Sequence, residues 1–350
     1  MSQKAHLTCV KVISPLIFLL FFQFGKAQYG FSELDQKLEK ARKELGGNAV
    51  TLIYKDGKII YTKELGEFNA KTQAPIASCS KWLTAALVMQ FVDEGKITLD
   101  DKVSKYLPIF SKYSKGFIRI RDCLAHLTGI ESEPIRLMNI LGRKKYASLE
   151  EEVNDFASKK EIMANPGLEF RYSNIGLNIA ARVLEIVGKR SFEQLMQEKL
   201  TRPLMMRSTS FSSLQAINPS GGAISTASDY MNFLSMLLNK GLFNGKRILS
   251  EQSILEMQTV RTNSSMIKYA PDAAKGFNYG FGEWILEADD DGKGQVIASP
   301  GLFGTWPMID NCRGYACIFF TRGLLGEEKK ELYMDLKKSI DTQISSHCNK

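Results

Sequence analysis

The 350-residue sequence predicts an α+β protein: one antiparallel sheet built from both ends of the chain, flanked by helices, with a helical lobe inserted between the halves. Three observations carry this. Two β-rich runs, residues 49–54 and 58–63, lie near the start and are joined by Asp56-Gly57, a strong tight-turn pair. From about Ser78 to Met257 the apolar spacing is helical. Short β-like runs return only towards the C-terminus.

The first segment reads as an export signal. Lys4 and Lys11 make a basic start, residues 12–24 are almost wholly apolar, and Gly25-Lys26-Ala27 offers small residues for cleavage after Ala27. Ser14, Pro15 and Gln23 interrupt the run, which is shorter than the roughly 20 residues needed to cross a bilayer. The expectation is therefore an exported protein, periplasmic or secreted, with a signal peptide at 1–27 and no stable membrane span after cleavage.

Residues 32–45 predict an amphipathic helix with Leu34, Leu38, Ala41 and Leu45 on one face, Ser32 as cap and Gly46-Gly47 as stop. After the hairpin, Ala85, Leu87, Val88, Phe91 and Val92 mark the most apolar helix, ended by Gly95. Further helices are expected at 175–187, 191–198 and 227–239. Strands follow at 283–287, 295–298, 305–310 and 315–321, and a last helix at 327–344 has Leu332, Leu336, Ile340 and Ile344 in one stripe. The mature domain, 28–350, thus divides into an α/β lobe from about 28–77 and 276–350 and a helical lobe from about 78–275.

Composition excludes several function classes. Without the signal, 43 basic side chains face 38 acidic ones, and no basic run is interleaved with aromatics, so nucleic acid is not an expected partner. Five cysteines remain, 79, 123, 312, 317 and 348, and their odd number and irregular spacing argue against a disulfide framework or zinc site. Cys312 and Cys317 could face each other across a hairpin, but two buried thiols is the blander reading. Only His126 and His347 survive cleavage, so a histidine-built metal centre is not expected, and a Ser-His-Asp triad would have to use one of these two. No cofactor is implied.

Three motifs carry chemistry. Ser78-Cys79-Ser80-Lys81 puts a hydroxyl and an amine three residues apart, on one face of a helix. A serine hydroxyl becomes a good nucleophile when a neighbouring base takes its proton, and the free N–H groups of a helix start favour the charge that develops in acyl transfer. Ser265-Met266-Ile267-Lys268 repeats the spacing, but in a polar loop with no apolar helix behind it. Tyr172-Ser173-Asn174 adds a phenol able to relay a proton and an amide able to orient lysine and substrate. Its look-alike, Tyr230-Met231-Asn232, sits inside an amphipathic helical pattern and reads as packing. The third motif is Ser299-Pro300-Gly301-Leu302-Phe303-Gly304 at a strand end, where Gly301 would let a substrate backbone approach closely.

Taken in order, these motifs resemble the penicillin-recognising serine hydrolases, above all the class C β-lactamases and related esterases. Lys55-Asp56-Gly57-Lys58, Leu124-Ala125-His126-Leu127-Thr128-Gly129, Phe170-Arg171-Tyr172-Ser173-Asn174-Ile175-Gly176 and Tyr279-Gly280-Phe281-Gly282 extend the likeness over nearly all the mature chain. The resemblance implies a cleft between two lobes and an acyl-enzyme at Ser78, with Lys81 and Tyr172 sharing the proton work. It also implies substrate binding by Asn174, Ser299, Gly301 and Leu302, an oxyanion hole from the N–H groups of Ser78 and Leu302, and a structural role for His126. One departure stands out: Ser299 and Pro300 occupy places where the family usually has lysine or histidine and then a small residue. Serine has no positive charge to hold a substrate carboxylate, although Arg322 or Lys293 could supply one.

The expected function is hydrolysis of a small ester or peptide-like substrate. A D-Ala-D-Ala carboxypeptidase or β-lactamase is the alternative within the same mechanism. A catalytically silent envelope protein that binds peptidoglycan or another partner is the alternative outside it.

Overall fold

The structure, a computed structural model, describes residues 29–133, 146–213, 215–323 and 329–348. The expected signal at 1–27 lies outside these residues. Near the N-terminus stand helix α1 (Ser32–Lys40) and the hairpin β1 (Ala49–Lys55) and β2 (Lys58–Leu65). The Asp56-Gly57 turn has positive φ at both residues, 48° and 81°, as a two-residue hairpin turn of right-handed twist requires. The middle of the chain supplies α2 (Ser80–Asp93), α3 (Leu149–Lys159), α4 (Ile175–Gly188) and α5 (Ala227–Leu238). The C-terminal part gives β3 (Asn278–Tyr279), β4 (Trp284–Ala288), β5 (Gly294–Ala298), β6 (Trp306–Asp310), β7 (Tyr315–Thr321) and α6 (Lys330–Asp341).

These strands form one seven-stranded antiparallel sheet in the order β2-β1-β7-β6-β5-β4-β3. The two chain ends meet where β1 pairs with β7, from Ala49 opposite Thr321 to Lys55 opposite Tyr315. The α+β architecture predicted from the sequence is therefore observed. Both sheet faces are covered, and β7 shows how. Tyr315, Cys317 and Phe319 pack with α1 and α6, while Ala316, Ile318 and Phe320 join the core that contains α2, α4 and α5. Alternate side chains of a strand point to opposite faces, so a strand buried on both sides is apolar throughout. Helix α2 is the central element: every residue from Ser80 to Phe91 is buried.

Two local expectations are corrected. Ser32 does not cap α1; Phe31 takes that position without a side-chain hydrogen bond, and the helix ends at Lys40, with turns leading to Gly46. Phe31 is buried against Tyr61, so packing rather than capping sets the start. Cys312 is not a thiol beside Cys317. It is bonded to Cys348, 36 residues on, while Cys79, Cys123 and Cys317 are free and buried. Helix α6 runs back along the sheet and delivers the tail to the β6–β7 turn, where the His347 N–H donates to the Cys312 carbonyl at 2.8 Å. Among the described residues no helix is long and apolar enough to cross a membrane.

Candidate active site

The chain turns sharply before Ser78. Ala77 has φ 45°, a left-handed conformation that disfavours any residue with a Cβ, and a 3-10 turn over Ala77–Cys79 leads straight into α2. The turn is held from two sides. The Tyr230 hydroxyl donates to the Cys79 carbonyl at 2.8 Å, and the Ala223 N–H donates to Ser80 Oγ at 3.1 Å.

One turn into the helix, Lys81 is wholly buried, and its Nζ donates to three acceptors: Ser78 Oγ at 3.3 Å, Asn174 Oδ1 at 3.0 Å and the Ser220 carbonyl at 2.9 Å. The same nitrogen lies 4.8 Å from the centroid of the Tyr172 ring. Ser78, Lys81, Tyr172 and Asn174 thus converge, although about 90 residues of chain separate the two pairs. A hydroxyl, an amine within hydrogen-bond reach and a phenol beside the amine can activate a nucleophile and pass its proton on.

Tyr172 rests on an aromatic platform. Its ring lies 4.7 Å from that of His126 and 5.1 Å from that of Trp284. Burial, reinforced by the charge of Lys81, holds the His126 pKa well below its ordinary value, so the imidazole is neutral. Its Nδ1 accepts from the Ser173 N–H at 3.4 Å. The proton therefore sits on Nε2, which donates to the Tyr279 hydroxyl at 3.1 Å. Both ring nitrogens are committed, and His126 carries the platform rather than serving as a base for Ser78.

The third motif closes the other side of the turn. Ser299 and Gly301 donate their N–H groups to Pro307 and Thr305 of the neighbouring segment, at 3.3 and 2.9 Å. Alternation then turns Pro300 and Leu302 the other way, so the missing N–H of Pro300 costs the ladder nothing. Among the described residues the Leu302 N–H has no acceptor. Gly301 is required by the chain's own packing: a Cβ there would lie 2.2 Å from the Ile76 carbonyl oxygen and 3.0 Å from Cys79 Sγ. Ser299 is buried, and its hydroxyl donates to the Gly282 carbonyl at 3.4 Å.

Of the two cations weighed as replacements, Lys293 precedes β5 whereas Ser299 follows it, a separation of roughly 20 Å along a strand. Lys293 is also paired with Asp291 at 3.2 Å. Arg322 is exposed and sits beside the motif, since the next residue, Gly323, donates its N–H to the Phe303 carbonyl at 2.8 Å. The repeat Ser265/Lys268 stays outside the cluster: among the described residues Lys268 Nζ donates to the Ser265 carbonyl, in an exposed contact.

Three contributors had no sequence signal as site residues. Ala77 reads as any small residue, Tyr230 as a packing tyrosine, and Ser220 as part of a loop. Only the Gly221-Gly222 that follows Ser220 hints at a tight approach. Among the described residues no group of His, Cys, Asp and Glu could hold a metal ion.

Comparisons with known proteins bear on the family and the fold. A family model described as Beta-lactamase matches residues 34–336. A solved chain from Bacteroides dorei assigned to the β-lactamases is 26% identical, with a TM-score of 0.78 over 89% of this chain and 98% of that one. EstCE1, described as a hydrolase with promiscuous acyltransferase activity, shares the fold at 20% identity and a TM-score of 0.74, over 88% of this chain and 97% of its own. Among curated relatives, protein flp of Staphylococcus aureus is 29% identical over 177 residues, 47% of this chain and 34% of the relative's length. The chain thus spans about a third of the first curated relatives it matches. A Mycobacterium tuberculosis protein, Rv1367c, is 24% identical over 74% of this chain and 80% of its own.

Proposed function

The chain belongs to the β-lactamase family, and from that premise we propose that it is an exported serine hydrolase forming an acyl-enzyme at Ser78 with a small ester or peptide-like substrate. The observation that carries this reading is the Lys81 nitrogen within hydrogen-bond reach of Ser78 Oγ and Asn174 Oδ1 and beside the Tyr172 ring. Lys81 and Tyr172 act together as the base that takes the Ser78 proton while Oγ attacks the substrate carbonyl. The oxyanion of the tetrahedral intermediate is bound by the N–H groups of Ser78 and Leu302. Collapse of the intermediate expels the alcohol or amine, which receives its proton from Tyr172. Water then attacks the acyl group by the reverse path and restores Ser78.

With serine at position 299 the third motif offers no charge for a substrate carboxylate, which favours neutral esters. The Cys312–Cys348 bond supports export, because such bonds persist in oxidising compartments. Short-chain nitrophenyl esters and a chromogenic cephalosporin, assayed side by side with wild type and Ser78→Ala, test the reading. Ester turnover with a burst, a matching acyl mass on Ser78 and loss of both in the variant is the expected result. Cephalosporin turnover without ester turnover would overturn the preference for esters, and absence of any acyl adduct would favour a silent binding protein.

The position of Arg322 favours one second reading, a carboxypeptidase or β-lactamase in which that guanidinium holds the carboxylate. Under it, Arg322→Ala abolishes cephalosporin or D-Ala-D-Ala turnover while leaving neutral esters untouched.

A further inference from the structure

Lys81 is held by a polar chain that runs through the interior of the helical lobe to an acid on another helix. Its first link is the Ser220 carbonyl, 2.9 Å from Nζ. Ser220 is fully buried, and both its polar donors meet Asn178 Oδ1: the N–H at 3.1 Å and the hydroxyl at 2.7 Å, with the Asn174 carbonyl 2.9 Å from the same hydroxyl. Asn178, also fully buried and one turn beyond Asn174 on α4, gives its Nδ2 to Glu152 Oε2 of α3 at 3.0 Å. Glu152 is itself 2% exposed.

The chemistry of these groups fixes the direction of the chain. A carboxylate only accepts, so Asn178 must turn its NH2 towards Glu152 and its carbonyl towards Ser220. That orientation lets one amide oxygen take both the N–H and the O–H of Ser220. The peptide is then locked with its carbonyl facing Lys81. Flipped, the amide would set its NH2 against the Ser220 N–H and its oxygen against the Glu152 carboxylate, leaving buried groups unpaired at a cost of about 1–3 kcal/mol each.

We propose that Glu152 and Asn178 are positioning residues for the nucleophile's base: they lock the Ser220 carbonyl and thereby set where the Lys81 nitrogen stands relative to Ser78. This rests on the hydrolase reading above and names residues that none of its motifs includes. Among the described residues, Tyr172 and neutral His126 stand beside Lys81, Glu283 lies next to Trp82 of α2, and Glu152 is at the end of the chain just described. Glu152 is thus the acid joined to the lysine by a chain of hydrogen bonds.

The test reverses the last link. Asn178→Leu removes it, Asn178→Asp sets two carboxylates face to face, and the double variant Glu152→Gln/Asn178→Asp restores one donor and one acceptor with the charge moved a residue closer to Lys81. Acylation by a nitrophenyl ester is followed against pH in each, beside thermal melting and 15N-lysine NMR titration of Lys81. Both single variants are expected to acylate about 10- to 100-fold more slowly with little change in KM, since misplacement by an ångström costs that much. The double variant is expected to recover to within a few-fold of wild type, with its acid limb and the Lys81 titration moved upward by roughly half a pH unit. A folded Asn178→Leu or Asn178→Asp protein with wild-type acylation overturns the proposal. So does a double variant that regains melting temperature but not rate, because that is the signature of a purely structural link. If wild type itself forms no acyl-enzyme, the hydrolase reading fails. The NMR titration then decides the positioning by Glu152 and Asn178 separately: an unmoved Lys81 in the double variant overturns it, a raised one supports it.

Discussion

Gly301 shows how little room the site leaves at the scale of a residue. The missing side chain serves a contact inside the molecule, because the Ile76 carbonyl and Cys79 Sγ already fill the place of a Cβ. Gly301→Ala must push the third-motif turn away from the Ala77–Cys79 turn and carry the Leu302 N–H with it. Loss of one oxyanion donor costs about 10²- to 10³-fold in rate. Pre-steady-state acylation of Gly301→Ala is therefore expected to fall by that factor, with the circular dichroism of the wild type retained; an unchanged burst rate would remove Leu302 from the oxyanion hole. The need for glycine here is legible in the sequence, but its reason is not. Sequence suggests an approaching substrate, whereas the close neighbour is the carbonyl of Ile76, far back in the chain. Ala77 is the harder case, since nothing in an alanine announces a left-handed φ of 45°.

At the scale of elements, helices and strands with a strong periodicity of their own are readable one by one, whereas α3 (Leu149–Lys159) is not among those the sequence predicts. Strand 315–321 agrees to the residue, because a strand buried on both faces is an unbroken apolar run ended by turn residues. Boundaries drift where packing competes with local signals, as when Phe31 displaces Ser32 from the cap of α1. The Cys312–Cys348 bond is the plainest miss. The pairing depends on the path of α6 across the sheet, and cysteine spacing carries no record of a path. The bond closes a loop of 36 residues, for which chain entropy predicts about 3–4 kcal/mol of stabilisation. Cys348→Ser should lower the urea midpoint of unfolding accordingly. It should also make that midpoint insensitive to dithiothreitol, which will lower the wild-type value; a wild type indifferent to reductant would show that the bond does not form.

For the molecule as a whole, the junction of sheet and helical lobe buries an acid. Glu283 is fully buried beside α2, and among the described residues neither carboxyl oxygen has a hydrogen-bond partner. Burial pushes its pKa well above the ordinary value, and the neighbouring Trp82 indole offsets this only in part, without a completed hydrogen bond. The native state then keeps a proton that the unfolded chain releases above about pH 4. Its contribution to stability is complete below that pH and declines as pH rises towards the native pKa. Glu283→Gln stays neutral throughout. Its melting temperature should match wild type near pH 4 and exceed it by a growing margin at pH 7 and 8; a difference independent of pH would contradict this account.

The sequence by itself determined the fold class, the strand-forming runs at both ends and the spacing of Ser78 and Lys81, because all of these follow from periodicity and turn chemistry over a few residues. Only the tertiary structure decided that Tyr172 stands beside Lys81, that His126 spends both nitrogens on a platform, that Ser220 and Asn178 link the lysine to Glu152, and that Cys348 finds Cys312. Each of those contacts joins segments dozens of residues apart, and which distant groups meet is set by how whole elements pack, information that no local pattern of residues contains.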